Sequence, residues 1–305
     1  MKVLITTSSF AERDNADTAA LLDAGIELIF NPWGRRLSEA DALSFFSEHD
    51  PVGVVAGVEP LTANVLCAAP ALKAIARCGT GLDSVDLKTS AARGVRVSNT
   101  PAAPGVAVAE LTIGLMLSVL RQIAQADRII RGGKWKALTG GLLGARTVGL
   151  IGYGRIGQRV GALASAFGAK IIAYDPFYRS LEAPFVSLET LLAQADIVSL
   201  HAAPGSLRLS EEHLSRMKRG AILINTARGD LVDEDALLSA LQSGALGGAG
   251  LDVFTSEPYS GPLSAIDTVV LTAHMGSYAA ESRSLQEREA LANLVADLRL
   301  AGVIG

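Results

Sequence analysis

The stretch Thr147-Val148-Gly149-Leu150-Ile151-Gly152-Tyr153-Gly154-Arg155-Ile156-Gly157 decides the reading of this chain. A short aliphatic run, of the kind buried in a parallel sheet, passes into G-x-G-x-x-G and then into a helical pattern closed by Gly168. The next apolar run, Lys170-Ile171-Ile172-Ala173-Tyr174, ends at Asp175, 23 residues beyond Gly152. In isolation the glycines would suit a plain strand–helix turn. With the flanking strands, the helix and the acid they make a dinucleotide fingerprint. Gly152 permits the tight turn, Gly154 lets a pyrophosphate approach the backbone, and Gly157 lets helix and strand pack closely. The first amides of the helix, from Arg155 through Ile156 to Gly157, meet the phosphate charge. Asp175 can accept hydrogen bonds from the adenosine ribose hydroxyls, and its charge repels a 2′-phosphate. The pattern therefore predicts NAD rather than NADP.

Outward from this stretch the chain alternates strands and helices. Downstream strands are predicted at 197–200, 221–224, 250–253 and 269–272, with a helix from Asp233 to Ser243. Upstream, strands are predicted at 3–6, 26–30, 52–56, 72–77 and 95–98, and helices at 18–24 and 38–48, the latter capped by Ser38 with Asp41 at N3. This alternation implies two α/β units built on mainly parallel sheets. The segment Asn99-Thr100-Pro101-Ala102-Ala103-Pro104-Gly105 breaks the rhythm and marks a boundary. A long helix from Val106 to about Ile130 follows. Its apolar residues run almost all the way round, which predicts burial, here in a subunit interface. A last helix, Ser282 to Leu300, has the spacing to cross back to the first unit.

The composition bounds the function. With 305 residues, 49% hydrophobic, the chain can build about two domains, and a largely disordered chain is excluded. Its net charge of −4 lacks the positive excess that phosphate-backbone binding needs, which argues against a nucleic-acid partner. Cys67 and Cys78 are too few for a disulfide framework or a four-thiolate zinc site, so no metal is expected and both read as small buried hydrophobes. The N-terminus lacks a signal-peptide pattern, and the apolar run from Val106 to Leu120 falls short of a membrane span, so a cytoplasmic protein with no membrane partner is expected.

Three polar residues follow predicted strands: Arg228 in Asn225-Thr226-Ala227-Arg228-Gly229-Asp230, Glu257 before Pro258, and His274 in Ala273-His274-Met275-Gly276. Ligands of parallel sheets bind at the carboxyl ends of strands, so all three share the edge of the glycine loop. Each alone suits a structural loop; together they suit catalysis. A histidine can take the proton of an alcohol that loses hydride and return it in reverse. A neighbouring carboxylate would favour the imidazolium and orient the ring. An arginine can hold a substrate carboxylate and polarise the adjacent carbonyl. The set suits a 2-hydroxy or 2-keto acid beside a nicotinamide.

On these motifs, with Gly250-Leu251-Asp252-Val253-Phe254 and Thr272-Ala273-His274-Met275-Gly276-Ser277, the sequence resembles the D-isomer-specific 2-hydroxyacid dehydrogenases, including phosphoglycerate dehydrogenase-like members, over nearly its whole length. The resemblance implies two Rossmann-like, doubly wound domains. A cofactor domain, 100–277, would be inserted in a flavodoxin-like substrate domain, 1–99 plus 278–305, with the active site between them and a homodimer formed through helix 106–130. It implies Arg228, Glu257 and His274 as the catalytic set, and substrate-carboxylate binding by backbone amides near Thr80 and Gly81 with help from Arg228 and His274. It also implies that Asp252 contacts the nicotinamide amide or ribose, and that His201, Thr226 and Gly276 line the cofactor cleft.

The sequence departs from the pattern in three places. Pro104 stands near a position where many members carry asparagine. Ala202-Ala203-Pro204-Gly205-Ser206 replaces the usual residues after His201. Ala56-Gly57-Val58-Glu59 occupies the place where phosphoglycerate-specific members carry an arginine. Small residues and a carboxylate there would not attract a phosphoryl group, so hydroxypyruvate or glyoxylate is expected ahead of 3-phosphoglycerate. A competing function from another class is an NAD(H)-sensing scaffold of the corepressor kind. The complete Arg/Glu/His set favours an enzyme.

Overall fold

Two all-parallel sheets organise the chain; their strands are short, and the central ones are buried on both faces while the edge strands are partly exposed. The structure is a computed structural model, and it describes residues 1–8, 10, 15–101, 103–178 and 183–305. The chain divides into two compact units, Met1–Pro104 with Ser277–Gly305, and Gly105–Gly276. The expected boundary segment includes Ala102, which lies outside the described residues.

In the first unit β1 (Lys2–Ile5), α1 (Ala16–Asp23), β2 (Glu27–Phe30), α2 (Glu39–His49), β3 (Gly53–Ala56), α3 (Ala63–Cys67), β4 (Ala74–Arg77), α4 (Leu87–Ala92) and β5 (Arg96–Asn99) give the sheet order β2-β1-β3-β4-β5. That is the flavodoxin-type winding. Local chemistry sets the ends. Ser38 and Asp41 form a reciprocal capping box on α2, and Asn15 caps α1 through the Thr18 amide. The short α3 buries Val65 and Leu66, which leaves Cys67 on the solvent side. Cys67 is thus exposed, against the sequence expectation, while Cys78 is buried.

The second unit starts with α5 (Pro104–Leu120) and α6 (Ile123–Arg131), then β6 (Thr147–Ile151), α7 (Arg155–Ala166), β7 (Lys170–Tyr174), α8 (Leu188–Gln194), β8 (Ile197–Leu200), α9 (Glu211–Ser215), β9 (Ala221–Asn225), α10 (Glu234–Gln242), β10 (Leu246–Leu251) and β11 (Val269–Leu271). The final helix α11 (Ala280–Leu300) belongs to the first unit and packs on β3, β4 and β5 there. The second sheet runs β11-β10-β9-β8-β6-β7. One parallel bridge, Ala173 to Phe185, extends it past β7. Counted as a vestigial third strand, that bridge gives the 3-2-1-4-5-6 order of dinucleotide-binding sheets, with β11 as a seventh strand beyond β10.

The long helix expected from Val106 to about Ile130 is two helices that meet at 62°. Gln122 between them is left-handed, with φ 53°. The break is capped from elsewhere in the chain: the Gly141 amide donates to the Leu120 carbonyl (2.9 Å), and the Gln122 side chain donates to the Thr139 carbonyl (2.9 Å). Only α5 is apolar and largely buried, through residues such as Ile113, Leu115 and Met116, whereas α6 buries no residue. Among the described residues no single helix is long and apolar enough to cross a membrane.

Candidate active site

Register places the site. Across the second sheet, Tyr174, Ile151, Leu200, Asn225, Leu251 and Leu271 lie side by side in one row. The next residue of each strand therefore leaves the sheet at the same level: Asp175, Gly152, His201, Thr226, Asp252 and Thr272. The winding reverses between β6 and β8, at Gly152 and His201, which is where open α/β sheets bind ligands.

The glycine loop fits a dinucleotide. Gly152 has φ 90°, and a Cβ there would lie 2.5 Å from the His201 carbonyl carbon. A Cβ at Gly157 would lie 2.3 Å from the Gly152 oxygen, so both glycines are required by backbone contacts. Gly154 is different. A Cβ there would meet nothing within 4 Å, so its bareness leaves open space at the start of α7, where no side chain caps the first amides. Those amides, Arg155 through Gly157, have no intrahelical acceptor and face the space that a pyrophosphate needs. The Asp175 carboxylate is held in place by the amides of Tyr153 (2.8 Å), Phe177 (2.9 Å) and Tyr178 (3.0 Å). The same contacts tie β7 to the glycine loop. The His201 ring bonds Ser199 Oγ through Nε2 (2.9 Å), and burial pushes its pKa down to about 3, so it is neutral at physiological pH. Thr226 Oγ1 meets Thr112 Oγ1 (2.8 Å), and Thr112 in turn donates to the Val108 carbonyl, which anchors the exit of β9 to α5.

The catalytic candidates stand at the other end of the row. The His274 Nδ1 lies 2.9 and 3.1 Å from the two Glu257 carboxylate oxygens. One of those oxygens also accepts from the Phe254 amide (3.2 Å), which fixes the acid relative to the strand exit. Neutral His274 then carries its proton on Nδ1, and Nε2 is left for a reacting group. His274 has φ 50°, an unusual conformation for a residue with a side chain. Asp252 sustains it. This carboxylate is 1% exposed and accepts from Thr272 Oγ1 (2.6 Å) and from the amides of Met275 and Gly276 (2.8 Å each), while its own carbonyl accepts the His274 amide (2.8 Å). All its described contacts lie within its own unit.

Arg228 is half-buried in the turn after β9 and donates to the Ala227 carbonyl. Asn225 shapes that turn from both sides: its side chain donates to the Arg228 carbonyl (2.8 Å) and accepts the Ala227 amide (3.1 Å). Gly229 presses the turn onto the next loop, because a Cβ there would lie 2.0 Å from the Phe254 carbonyl carbon. The loops bearing Arg228 and Glu257 are thus in backbone contact. Sequence reasoning assigned no role to Asn225, Gly229 or Thr272. The Asx-turn pattern at Asn225 was the one available signal.

In the first unit, the loop after β4 is set by Thr100 Oγ1, which accepts the Gly79 amide (2.7 Å), and by Asn99, which donates to the Thr80 carbonyl (2.6 Å). Among the described residues, the amides of Thr80 and Gly81 have no acceptor. The Glu59 carboxylate, expected from the sequence to discourage a phosphoryl group, is turned into the core. Glu59 is 1% exposed, hydrogen-bonded by Thr6 and by the Gly57 amide (3.1 Å), and burial raises its pKa. It therefore presents no carboxylate to repel an anion. What remains of the argument is that Ala56, Gly57 and Val58 are themselves uncharged; the Arg77 guanidinium acts on the buried Glu59 beside them. No group of three or more His, Cys, Asp or Glu among the described residues could hold a metal ion.

The family model for the D-isomer specific 2-hydroxyacid dehydrogenase NAD binding domain matches residues 113–276. A hydroxypyruvate reductase of Thermotoga maritima is 43% identical over 80% of this chain and 84% of its own length. A D-3-phosphoglycerate dehydrogenase of Mycobacterium leprae is equally identical, but the match spans only 47% of that protein. Among solved structures, the TT0316 protein of Thermus thermophilus superimposes with a TM-score of 0.89 at 40% identity, over 98% of this chain and 97% of that one. A D-lactate dehydrogenase of Aquifex aeolicus, complexed with NAD and lactic acid, gives 0.82 at 27% identity, over 99% and 96%.

Proposed function

The chain belongs to the D-isomer-specific 2-hydroxyacid dehydrogenase family, and from that premise we propose that it interconverts a short, unphosphorylated 2-keto acid, of the glyoxylate or hydroxypyruvate kind, and its D-2-hydroxy acid. It is an NAD-dependent oxidoreductase. When bound, NAD supplies or accepts the hydride. In our reading the unit Gly105–Gly276 holds it through Gly152, Gly154, Arg155, Ile156, Gly157 and Asp175, with His201, Thr226 and Gly276 along the same edge. His274 Nε2 donates the proton to the carbonyl oxygen in reduction and removes it in oxidation. Glu257 fixes the ring and offsets the imidazolium charge. Arg228 pairs with the substrate carboxylate. In the first unit, the open amides of Thr80 and Gly81 are suited to an anion. Asp252 acts as a positioning residue that sets the His274 turn.

The observation that carries this reading is the two-oxygen contact of Glu257 with His274 Nδ1. Removing the proton donor costs about 10² to 10⁴ in rate. His274→Ala should therefore lose that much kcat with glyoxylate while NADH still binds, as read by fluorescence titration. Near wild-type turnover would overturn the assignment. The reductase reading is favoured over 3-phosphoglycerate oxidation because Ala56, Gly57 and Val58 are uncharged. A keto-acid panel followed by NADH absorbance separates the two. We further propose a cytoplasmic homodimer. α5 and α6 leave Val106, Ile123 and Ile130 about half exposed, and Trp135 is 94% exposed, an apolar surface suited to a second copy.

A further inference from the structure

The first unit holds a buried group of charges that the dehydrogenase reading does not use. Arg77 is the last residue of β4, in register with Ala56 and Asn99, and is 9% exposed. Its guanidinium folds back onto the loop that follows: Nη1 donates to the Cys78 carbonyl, and a Cβ on Gly79 would lie 3.0 Å from Cζ. Gly79, with φ 141°, lets the chain pass so close. The Arg77 charge acts on the carboxylate of Glu59, which Thr6 Oγ1 and the Gly57 amide (3.1 Å) hold at the exits of β1 and β3. A second pair stands by Cys78: Arg283 of α11 bonds Glu287 (3.1 Å) and reaches Cys78 Sγ (3.6 Å). Burying four charges costs free energy that apolar side chains of the same size would save.

The loop beside this group is aimed through its carbonyls. Arg77 donates to the Cys78 carbonyl, the Thr100 amide to that of Gly79 (3.0 Å), and the Asn99 side chain to that of Thr80 (2.6 Å). In a planar trans peptide the N–H of one residue points opposite to the C=O of the residue before it. Holding the carbonyls of Gly79 and Thr80 therefore turns the amides of Thr80 and Gly81 away from those donors. Consecutive amides presented in this way make a seat for an anion. The Gly79 amide is not part of that seat, since it donates to Thr100 Oγ1 (2.7 Å). Arg77 fixes the first of the three peptides, and its charge lies within three residues of the two amides. Water screens a buried charge poorly, so an anion on those amides feels it.

We propose that Arg77 is a positioning and specificity-determining residue for the 2-keto acid: kept in place by Glu59, its guanidinium holds the Cys78 peptide and lends its positive charge to the carboxylate received by the amides of Thr80 and Gly81. The proposal rests on the reading that this loop seats the substrate carboxylate. It adds that the seat is charged from within the protein, so that it holds a carboxylate more tightly than two amides alone would.

The test uses the whole chain loaded with NADH and titrated by calorimetry with oxamate, an unreactive isostere of a 2-keto acid, beside KM and kcat for glyoxylate. Arg77→Lys keeps the charge. Arg77→Gln removes it and keeps a donor for the Cys78 carbonyl. The double variant Arg77→Gln with Glu59→Gln removes both charges, so it leaves no unpaired buried carboxylate should the single variant fail to fold. Both glutamine variants should weaken oxamate about tenfold or more and raise the KM for glyoxylate alike, with kcat within about threefold and NADH affinity unchanged. Arg77→Lys should stay within about threefold of wild type for oxamate. Equal weakening by lysine and glutamine overturns the proposal, because shape and not charge would then matter; wild-type affinity in the glutamine variants overturns it too. Gly81→Pro deletes one of the two amides and tests the loop reading separately. If it weakens oxamate while the Arg77 variants do not, the loop reading stands and the proposal is wrong. If it leaves oxamate binding unchanged, or if the wild type binds no oxamate, both fall.

Discussion

Asp252→Asn tests how the histidine is held. The carboxylate receives three donors, one from Thr272 and two from consecutive amides, and it is 1% exposed. Asparagine keeps the shape but offers one acceptor oxygen. With that oxygen toward Thr272 and Met275, its amide hydrogens face the Gly276 N–H. If it is flipped, they face Thr272 and Met275. In either orientation at least one buried donor opposes another. Hydrogen bonds to a charged group contribute roughly 1.5–3 kcal/mol, and an unsatisfied buried donor costs about 1–3 kcal/mol. The variant should therefore lose about 3 kcal/mol of stability, read by urea unfolding followed with two probes, because a chain of two units need not unfold in one step. Turnover should fall as well, because His274 sits in a left-handed turn that Asp252 tethers, and misplacing a reacting group by about 1 Å can cost 10²-fold. The split between constants is diagnostic: kcat should fall with little change in the KM for NADH. A variant within about 0.5 kcal/mol of wild type and equally fast, inside the range of an ordinary surface change, would show that Asp252 does not set the turn.

Other substitutions probe the rest of the edge. Gly157→Ala places a Cβ 2.3 Å from the Gly152 oxygen and should raise the Kd for NADH at least about tenfold, measured by fluorescence; unchanged affinity would mean the loop is free to move away. Asp175→Ser should narrow the preference for NAD over NADP, compared as kcat/KM for each. Wild-type enzyme that used both equally would contradict the repulsion argument. His201, whose folded pKa lies near 3, binds no proton in the native state where an unfolded histidine does. Its contribution therefore favours unfolding as pH drops below about 6.5, by up to about 1.4 kcal/mol per pH unit until the folded pKa is reached. Stability of His201→Asn should fall less steeply over that window, and parallel curves for the two proteins would refute the point.

The glycine fingerprint was legible because its chemistry is local. Strand, turn, helix and acid follow one another within 30 residues, and Gly152 and Gly157 are required by local backbone contacts. Strand exits at Arg228, Glu257 and His274 were legible for a related reason: parallel sheets send their ligand-binding residues to one edge whatever the partner strand. What escaped was set by distant chain. Nothing around Gln122 announces a break, because the carbonyl left at Leu120 is satisfied by an amide from Gly141. The burial of Glu59 is set by Thr6, 53 positions away, which donates to its carboxylate. The bridge at Phe185 is one residue wide and leaves no periodicity to read. Asp252 was given a ligand contact, and its three partners emerge only when β10 and β11 lie in register.

The single level at which six strands end makes the sheet a ruler. Asp175 at β7 and Thr272 at β11 are five strand steps apart, about 24 Å at roughly 4.8 Å per step. At that separation, changes at the two ends should combine additively. An engineer could therefore retune nucleotide choice at β7 without retuning proton handling at β11, and a double variant that departed from the product of its two single effects would reveal a stiffness along the sheet that no individual contact supplies.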